Sequence, residues 1–260
     1  MAYTDTAGAK PGIRSVAADR PWAWLAAGWQ DTWRAPGISL TYGALFAVVS
    51  LVLTLGLFWA EWGYLLPPLA AGFMLLGPML AVGLYETSRR LQTGEPVTLG
   101  DALFVATRSP TQLAFLGVVL MLFLLAWIRI ATLLFALFFG TLEFPPLSET
   151  PELLFFTWTG LGLLVVGSAV GAVFAMIVFA MTVVSVPMLM VRDVDAITAV
   201  ITSIQVVRAN IAPLALWAWL IVILTAVGFV PLFLGLVVTF PLVGHATWHA
   251  YCDLIDEGAA

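Results

Sequence analysis

The two histidines of this 260-residue chain stand four residues apart in the segment GHATWHAY, as His245 and His249. On a helix that spacing stacks two imidazoles on one face, which is one way to present a pair of metal ligands. Asp253, one turn on, extends the set to three at best, whereas a closed structural zinc site takes about four. A single haem cannot use both rings, because axial ligands approach from opposite faces. No metal and no cofactor is therefore expected, and two readings of the pair stay open. In one, both rings sit in the headgroup zone beside Trp248 and Tyr251, satisfied by backbone, water or lipid. In the other, they belong to a polar cytoplasmic cluster. That second reading comes from aligning Pro78, Pro187 and Pro241: eight residues beyond them lie Glu86, Asp195 and His249. Glu86, Asp195, His245 and His249 are thus candidates to converge in one proton-linked site.

Arg129, in LLAWIRIATLL, is the one basic residue within an apolar span. Counting from Thr111 at ~1.5 Å per residue, it lies about 27 Å along its helix, near the outer edge of a ~30 Å hydrocarbon core. It is a candidate boundary charge that snorkels outward or pairs with Glu143 or Glu61, or else an intramembrane charge lining a polar cavity. Catalytic devices are missing from the sequence. There is no Gly-rich phosphate loop, nucleophile elbow or paired-carboxylate pattern, and the GxG at Gly160 to Gly162 sits in an apolar run with no strand before it. No catalytic residue is expected, and the chain reads as not an enzyme. A single cysteine, Cys252, excludes an internal disulfide.

The elements that must position these residues follow from composition. With 62% apolar and 10% charged residues, against roughly 25% charged in soluble domains, the chain is an all-α integral membrane protein. Its net charge of -5, with ten Lys and Arg in no basic stripe, implies no nucleic-acid partner. Residues 1–20 are polar and lack the apolar core of a signal peptide, so they read as a mobile cytoplasmic tail before a single domain at 21–256. Charge-free runs predict six crossings, over 38–60, 64–86, 111–138, 158–188, 211–227 and 230–251. Nine of the ten basic residues fall on one side of these crossings. The other side holds Glu61, Glu143, Glu149 and Glu152. By the positive-inside rule both termini are cytoplasmic and the Phe144 to Pro151 loop is external.

The cytoplasmic connections carry their own pattern. Trp22, Leu25, Ala26, Trp29 and Trp33 form one apolar stripe, Asp195 to Asn210 carries another in Ile197, Val200, Ile201, Ile204 and Val207, and a third helix runs from the cap-like Thr98 and Asp101 to Arg108. Each ends alike, at Arg34-Ala35-Pro36, Arg108-Ser109-Pro110 and Arg208-Ala209-Asn210, and each following hairpin returns with Pro78, Pro187 or Pro241. The pattern predicts three repeated hairpins, each preceded by an amphipathic cytoplasmic interfacial helix. Arg34, Arg89, Arg90, Arg108 and Arg208 are expected to contact lipid phosphates, and Asp193 and Asp195 to cap the third surface helix.

The segments GFMLLGPMLAVGLYETSRRLQTGEP, AWIRIATLLFALFFG, VSVPMLMVRDVDAITAVITSIQVVRAN and PLVGHATWHAYCDLI resemble a family of bacterial inner-membrane proteins classed as a domain of unknown function, over about Trp22 to Ile255. The resemblance implies the fold and the location, with no activity. Some members are labelled cytochrome c oxidase subunit I, but a haem-copper core needs more histidines than the two present here. The expected role is an accessory, assembly or lipid-organising protein that acts by association with the bilayer, anionic head groups and a larger membrane complex. The alternatives are a small-solute transporter or channel, with a path lined by Arg129, Ser168, Thr182 and Ser185, and a metal- or haem-binding redox protein.

Overall fold

The computed structural model describes residues 12–140 and 150–256. A two-residue strand β1 (Gly12–Ile13) leads into α1 (Arg20–Arg34) and α2 (Pro36–Trp59); a short 3-10 turn opens α3 (Leu66–Leu80), followed by α4 (Val82–Thr93), α5 (Leu99–Leu103) and α6 (Pro110–Phe139). The second half comprises α7 (Thr150–Phe156), α8 (Trp158–Thr182), α9 (Ser185–Val191), α10 (Ala196–Ala209), α11 (Ile211–Phe229), α12 (Leu236–Leu254) and β2 (Ile255–Asp256). Among the described residues, five helical stretches are long and apolar enough to cross a membrane: Pro36–Trp59, Gly63–Thr93, Pro110–Phe139, Trp158–Val191 and Ile211–Phe229. Side chains such as Val52, Leu122, Leu137 and Val165 stand largely exposed on them, which is untenable in water and proper in lipid. The helix at the sixth expected crossing, α12, is not among the five. It carries Thr239, His245, Thr247, His249 and Asp253, which lower its apolarity. It can carry them because it is the most enclosed helix, packed against α1, α2, α4 and α11.

Two of the long stretches are interrupted. The 158–188 crossing, expected as one helix, breaks at Val183 and Val184. Pro187 explains the position, since its ring clashes with the carbonyl four residues back, that of Val183. The Val184 N–H is taken up instead by Ser203 Oγ of α10 at 3.3 Å. The second crossing is interrupted at Ala81, just after Pro78.

The three surface helices differ in length. α1 and α10 span the expected segments, and Asp195 caps α10 by accepting from Thr198 N at 2.8 Å. The helix expected over Thr98 to Arg108 stops at Leu103, although its Thr98/Asp101 capping box is present. Val105, Thr107 and the residue before Pro110 all disfavour helix, and the backbone instead donates from Arg108 and Ser109 to Met190 and Leu189 of α9. The junctions before the crossings share one backbone form: Ala35 at φ −128, ψ 57, Ser109 at −122, 64 and Asn210 at −132, 47.

The apolar stripes read in α1 and α10 divide, with Leu25, Val200 and Val207 packed against the core and the tryptophans, Ile197 and Ile201 facing outward. Trp22, Trp29 and Trp33 are about half exposed, as are Ile197 and Ile201. The faces turned into the protein are Trp24, Gly28, Asp31 and Thr32 in α1, and Ala196, Ala199, Thr202, Ser203 and Val206 in α10. This inverts the soluble pattern and suits helices lying in the headgroup layer. Residues 12–19, assigned by sequence to the tail, are tied to the C-terminal end. Gly12 and Ile13 pair antiparallel with Asp256 and Ile255, Arg14 N donates to Leu254 O, Arg14 pairs with Asp256, and Val16 N donates to Asn210 Oδ1.

Candidate functional site

The site begins with two close helix approaches to α12. A Cβ on Gly28 would come within 2.7 Å of the Ala246 backbone nitrogen, so only glycine lets α1 lie this close. Three residues further along each helix, this approach sets Asp31 against His249. Gly244 likewise admits Leu84 of α4, and one turn on Ser88 meets His245. Asp31, Ser88, His245 and Ser39 of α2 are all buried, so each polar atom needs a partner within the protein.

Donor chemistry fixes every proton in this network. The Trp248 indole only donates, so Gln92 Oε1 accepts from it at 2.9 Å and the Gln92 amide NH2 faces His249 Nδ1 at 3.1 Å. That nitrogen accepts. The His249 proton therefore sits on Nε2 and donates to Asp31 Oδ2 at 2.7 Å. Ser88 Oγ donates to the same oxygen at 2.8 Å. Having spent its only proton, Ser88 Oγ accepts from His245 Nδ1 at 2.8 Å, and His245 Nε2 accepts from Ser39 Oγ at 2.9 Å. Every donor points toward one carboxylate oxygen. Burial pushes the Asp31 carboxyl up, but the hydrogen bonds from His249 and Ser88 outweigh it and hold the group below the ordinary carboxylate range. Arg34 lies 3.7 Å from Asp31 Oδ1 with its side chain mostly exposed.

The four candidates for one polar cluster are thus divided. His245 and His249 come together through Ser88 and Asp31. Glu86 is gripped by Arg89 at 2.8 Å and by Arg90 at 2.7 Å, and Asp195 caps α10. Their carboxylates are spent locally, and Asp31 takes the place beside His249. Asp253, the third ligand considered, binds Arg20 at 2.6 Å and the Trp24 indole at 2.7 Å. Among the described residues no three His, Cys, Asp or Glu side chains gather as a metal would require. Ser39 and His245 form a serine–histidine pair, yet both are fully buried and neither lines the cavity described below.

Of the arginines assigned to lipid phosphate, Arg89 and Arg90 also bind Glu95 and Asp101, each at 3.1 Å. Arg34, Arg108 and Arg208 are exposed at the three junctions. Arg129 is exposed on α6 with no ion-pair partner among the described residues. Glu143 and Glu149, and the loop from Phe144, lie outside the described residues.

A second feature was not legible from spacing. A cavity of about 890 Å3 lies between α3, α6 and α8 on one side and α11 and α12 on the other. Leu75, Phe73, Trp127, Phe174, Trp217 and Phe240 contribute to its wall, and none of its described lining residues is charged or a histidine. Ser168 and Thr182 line it, whereas Arg129 and Ser185 do not, and the Thr182 hydroxyl is bonded to Val178 O. Two of the four residues expected along a solute path therefore share this cavity and two do not.

A comparison with protein families bears on this arrangement of crossings around an uncharged cavity. Residues 65–191 match the family DUF2189, described as a predicted integral membrane protein. The matched part is just under half the chain and runs from α3 through α9, including three walls of the cavity, while His245, His249 and Asp31 fall outside it. DUF2189 is a domain of unknown function. No curated protein and no solved structure matches the chain.

Proposed function

We propose that this is a non-enzymatic, lipid-organising protein of the bacterial inner membrane that holds the apolar part of a lipid-like molecule between its two halves. The observation that carries this reading is the cavity. Its walls are membrane-crossing helices, its volume of about 890 Å3 lies within the roughly 300–1,000 Å3 of ligand sites, and its uncharged lining suits a hydrophobe. The polar network supports the non-enzymatic part of the reading. Its hydroxyls, imidazoles and carboxylate are saturated by one another, which leaves no free nucleophile or base. The network acts as a lock that clamps α1, α2 and α4 to α12 at the cytoplasmic end. Association with a larger membrane complex would use the outward aromatic and aliphatic faces of α1 and α10.

The finer topology belongs to the same proposal. Six crossings form three hairpins with both termini cytoplasmic, α12 being the sixth. The shared backbone form of Ala35, Ser109 and Asn210, each following a surface helix or its remnant and opening a crossing, supports the repeat. A cysteine at Glu61 in a Cys252→Ser background should label from outside spheroplasts and one at Asp193 should not; the reverse pattern would refute the orientation.

Gly167 tests the cavity. It lines the space, and a Cβ there meets nothing within 4 Å. Gly167→Phe should therefore fold normally and obstruct part of the cavity. Lipid extracted from protein purified in mild detergent and quantified by mass spectrometry should include a tightly held hydrophobe in the wild type that the variant loses. Equal retention in both would refute the reading.

A further inference from the structure

The two halves of the protein meet unevenly around the cavity. Phe73 of α3 packs against Phe229 of α11 and Phe240 of α12, with ring centroids 5.7 Å apart in each pair. Further round, α8 packs against α3 and α6, and α11 against α12, but α8 and α11 do not pack along one another. The residues on their facing edges both line the cavity and stand exposed: Ser168, Ala172 and Met176, each a helical turn from the next on α8, and Ala215, Trp219 and Val222 on α11. Met176 and Trp219 are each 62% exposed. A side chain that belongs at once to the cavity wall and to the outer surface marks a mouth, and this one opens sideways into lipid. Its depth follows from α10, which lies at its foot. Ser203 of α10 bonds to Val184 N, eight residues past Met176, and α10 leads into α11 at Ile211, eight residues before Trp219. Both rim residues thus stand roughly 12 Å from the level of α10, within one half of a ~30 Å hydrocarbon core.

From this arrangement we infer that the cavity takes one acyl chain of a glycerophospholipid, which enters sideways between α8 and α11 while its phosphate stays in the headgroup layer beside α10. This deepens the lipid-holding reading and rests on it. The uncharged wall excludes the phosphate itself, which would be buried there with no cation to pair it. A lateral mouth removes that cost, since the chain can pass from the bilayer core into an equally apolar cavity without its head group leaving the interface. Arg208 supplies the charge that the phosphate needs. It lies in the last turn of α10, is exposed on the same outward face as Ile197, Ile201 and Gln205, and makes no ion pair among the described residues. A guanidinium so placed offers a forked donor to phosphate oxygens. A hydrophobe without a phosphate would use the mouth but not the arginine.

The full-length protein, purified in mild detergent and stripped of bound lipid, would be titrated with a phosphatidylglycerol whose one acyl chain ends in a diazirine, and separately with a diacylglycerol carrying the same chain. Photolysis and tandem mass spectrometry would locate the insertions. In the wild type they should fall on Phe73 and Ala131 of the cavity wall as well as on the outward Leu122 and Val165. Ala172→Trp on one rim and Ala215→Trp on the other should each cut insertion at the cavity wall about fivefold or more, the least that forcing a chain past a bulky rim should cost, with Leu122 and Val165 labelled as before. Arg208→Gln should raise the phosphatidylglycerol concentration needed for half-maximal wall labelling about fivefold and leave the diacylglycerol response unmoved. Wall labelling that persists at the wild-type level in both rim variants overturns the lateral mouth. An unchanged phosphatidylglycerol response in Arg208→Gln overturns the placement of the phosphate. No wall labelling in the wild type overturns the whole inference, and the lipid-holding reading falls with it only if Gly167→Phe also retains whatever hydrophobe co-purifies with the wild type.

Discussion

Replacing Asp31 separates what its charge does from what its oxygen does. The Ser88 and His249 protons both land on Oδ2, and only Arg34 faces Oδ1. In Asp31→Asn the amide carbonyl can occupy the Oδ2 position and accept both donors, while the NH2 faces an Arg34 free to turn to water. What is lost is charge assistance on two bonds, partly offset by no longer burying a charge, for a net cost of about 1–2 kcal/mol. Asp31→Ala removes the acceptor itself. The Ser88 hydroxyl and the His249 N–H are stranded in a buried site and a void opens beside them, costing about 3–5 kcal/mol. At roughly 2–4 °C per kcal/mol, the alanine variant should melt on the order of 10 °C below wild type and the asparagine variant only a few degrees below. Tryptophan-fluorescence melting in mild detergent, after size-exclusion chromatography, reads both. An alanine variant no less stable than the asparagine variant would refute the single-acceptor network, and two equal, large losses would assign the effect to charge.

Three further outcomes follow from the same geometry. Asp31 lies below its ordinary range when folded, so its contribution is present above about pH 4 and lost as the pH falls below that; melting temperature should drop in that window, less so in Asp31→Asn, with Asp101 and Asp195 sharing the direction through their caps. Gly28→Ala puts a Cβ into the Ala246 backbone and should cost about 1–3 kcal/mol, whereas Gly56→Ala, which meets nothing, should gain up to about 1 kcal/mol; equal effects would mean that α1 does not depend on the close approach. Arg129→Leu should leave melting and membrane insertion within about 0.5 kcal/mol of wild type; severe misfolding would show that the arginine is held by a partner.

The lipid-facing surface of this fold is legible in the sequence because apolar periodicity reports what meets lipid. The outward tryptophans of α1, Ile197 and Ile201 of α10 and five of the crossings follow from that one rule, and the Asp195 cap follows from its own side-chain chemistry. The inward faces are not legible by it. Trp24, Gly28, Asp31, Thr32 and Ala35 recur at helical spacing on the side of α1 that hydropathy assigns to water. The recurrence of small residues along that stripe was the available signal that another backbone lies against it. Aligning the prolines singled out His249 but not the Asp31 beside it, since a carboxylate flanked by arginines at i+3 and i+4, as Glu86 is, satisfies itself locally. The interruptions at Ala81 and Val183 lie beside Pro78 and Pro187, whereas Pro241 is accommodated within the continuous α12. The cavity has no spacing signature, because it is made by side chains from seven helices that fail to meet.

A structure of the protein in lipid nanodiscs tests the central claim most directly. The account predicts continuous elongated density within the cavity, interrupted in Gly167→Phe. A cavity that is closed by repacked side chains, or filled only by discrete waters, would contradict it.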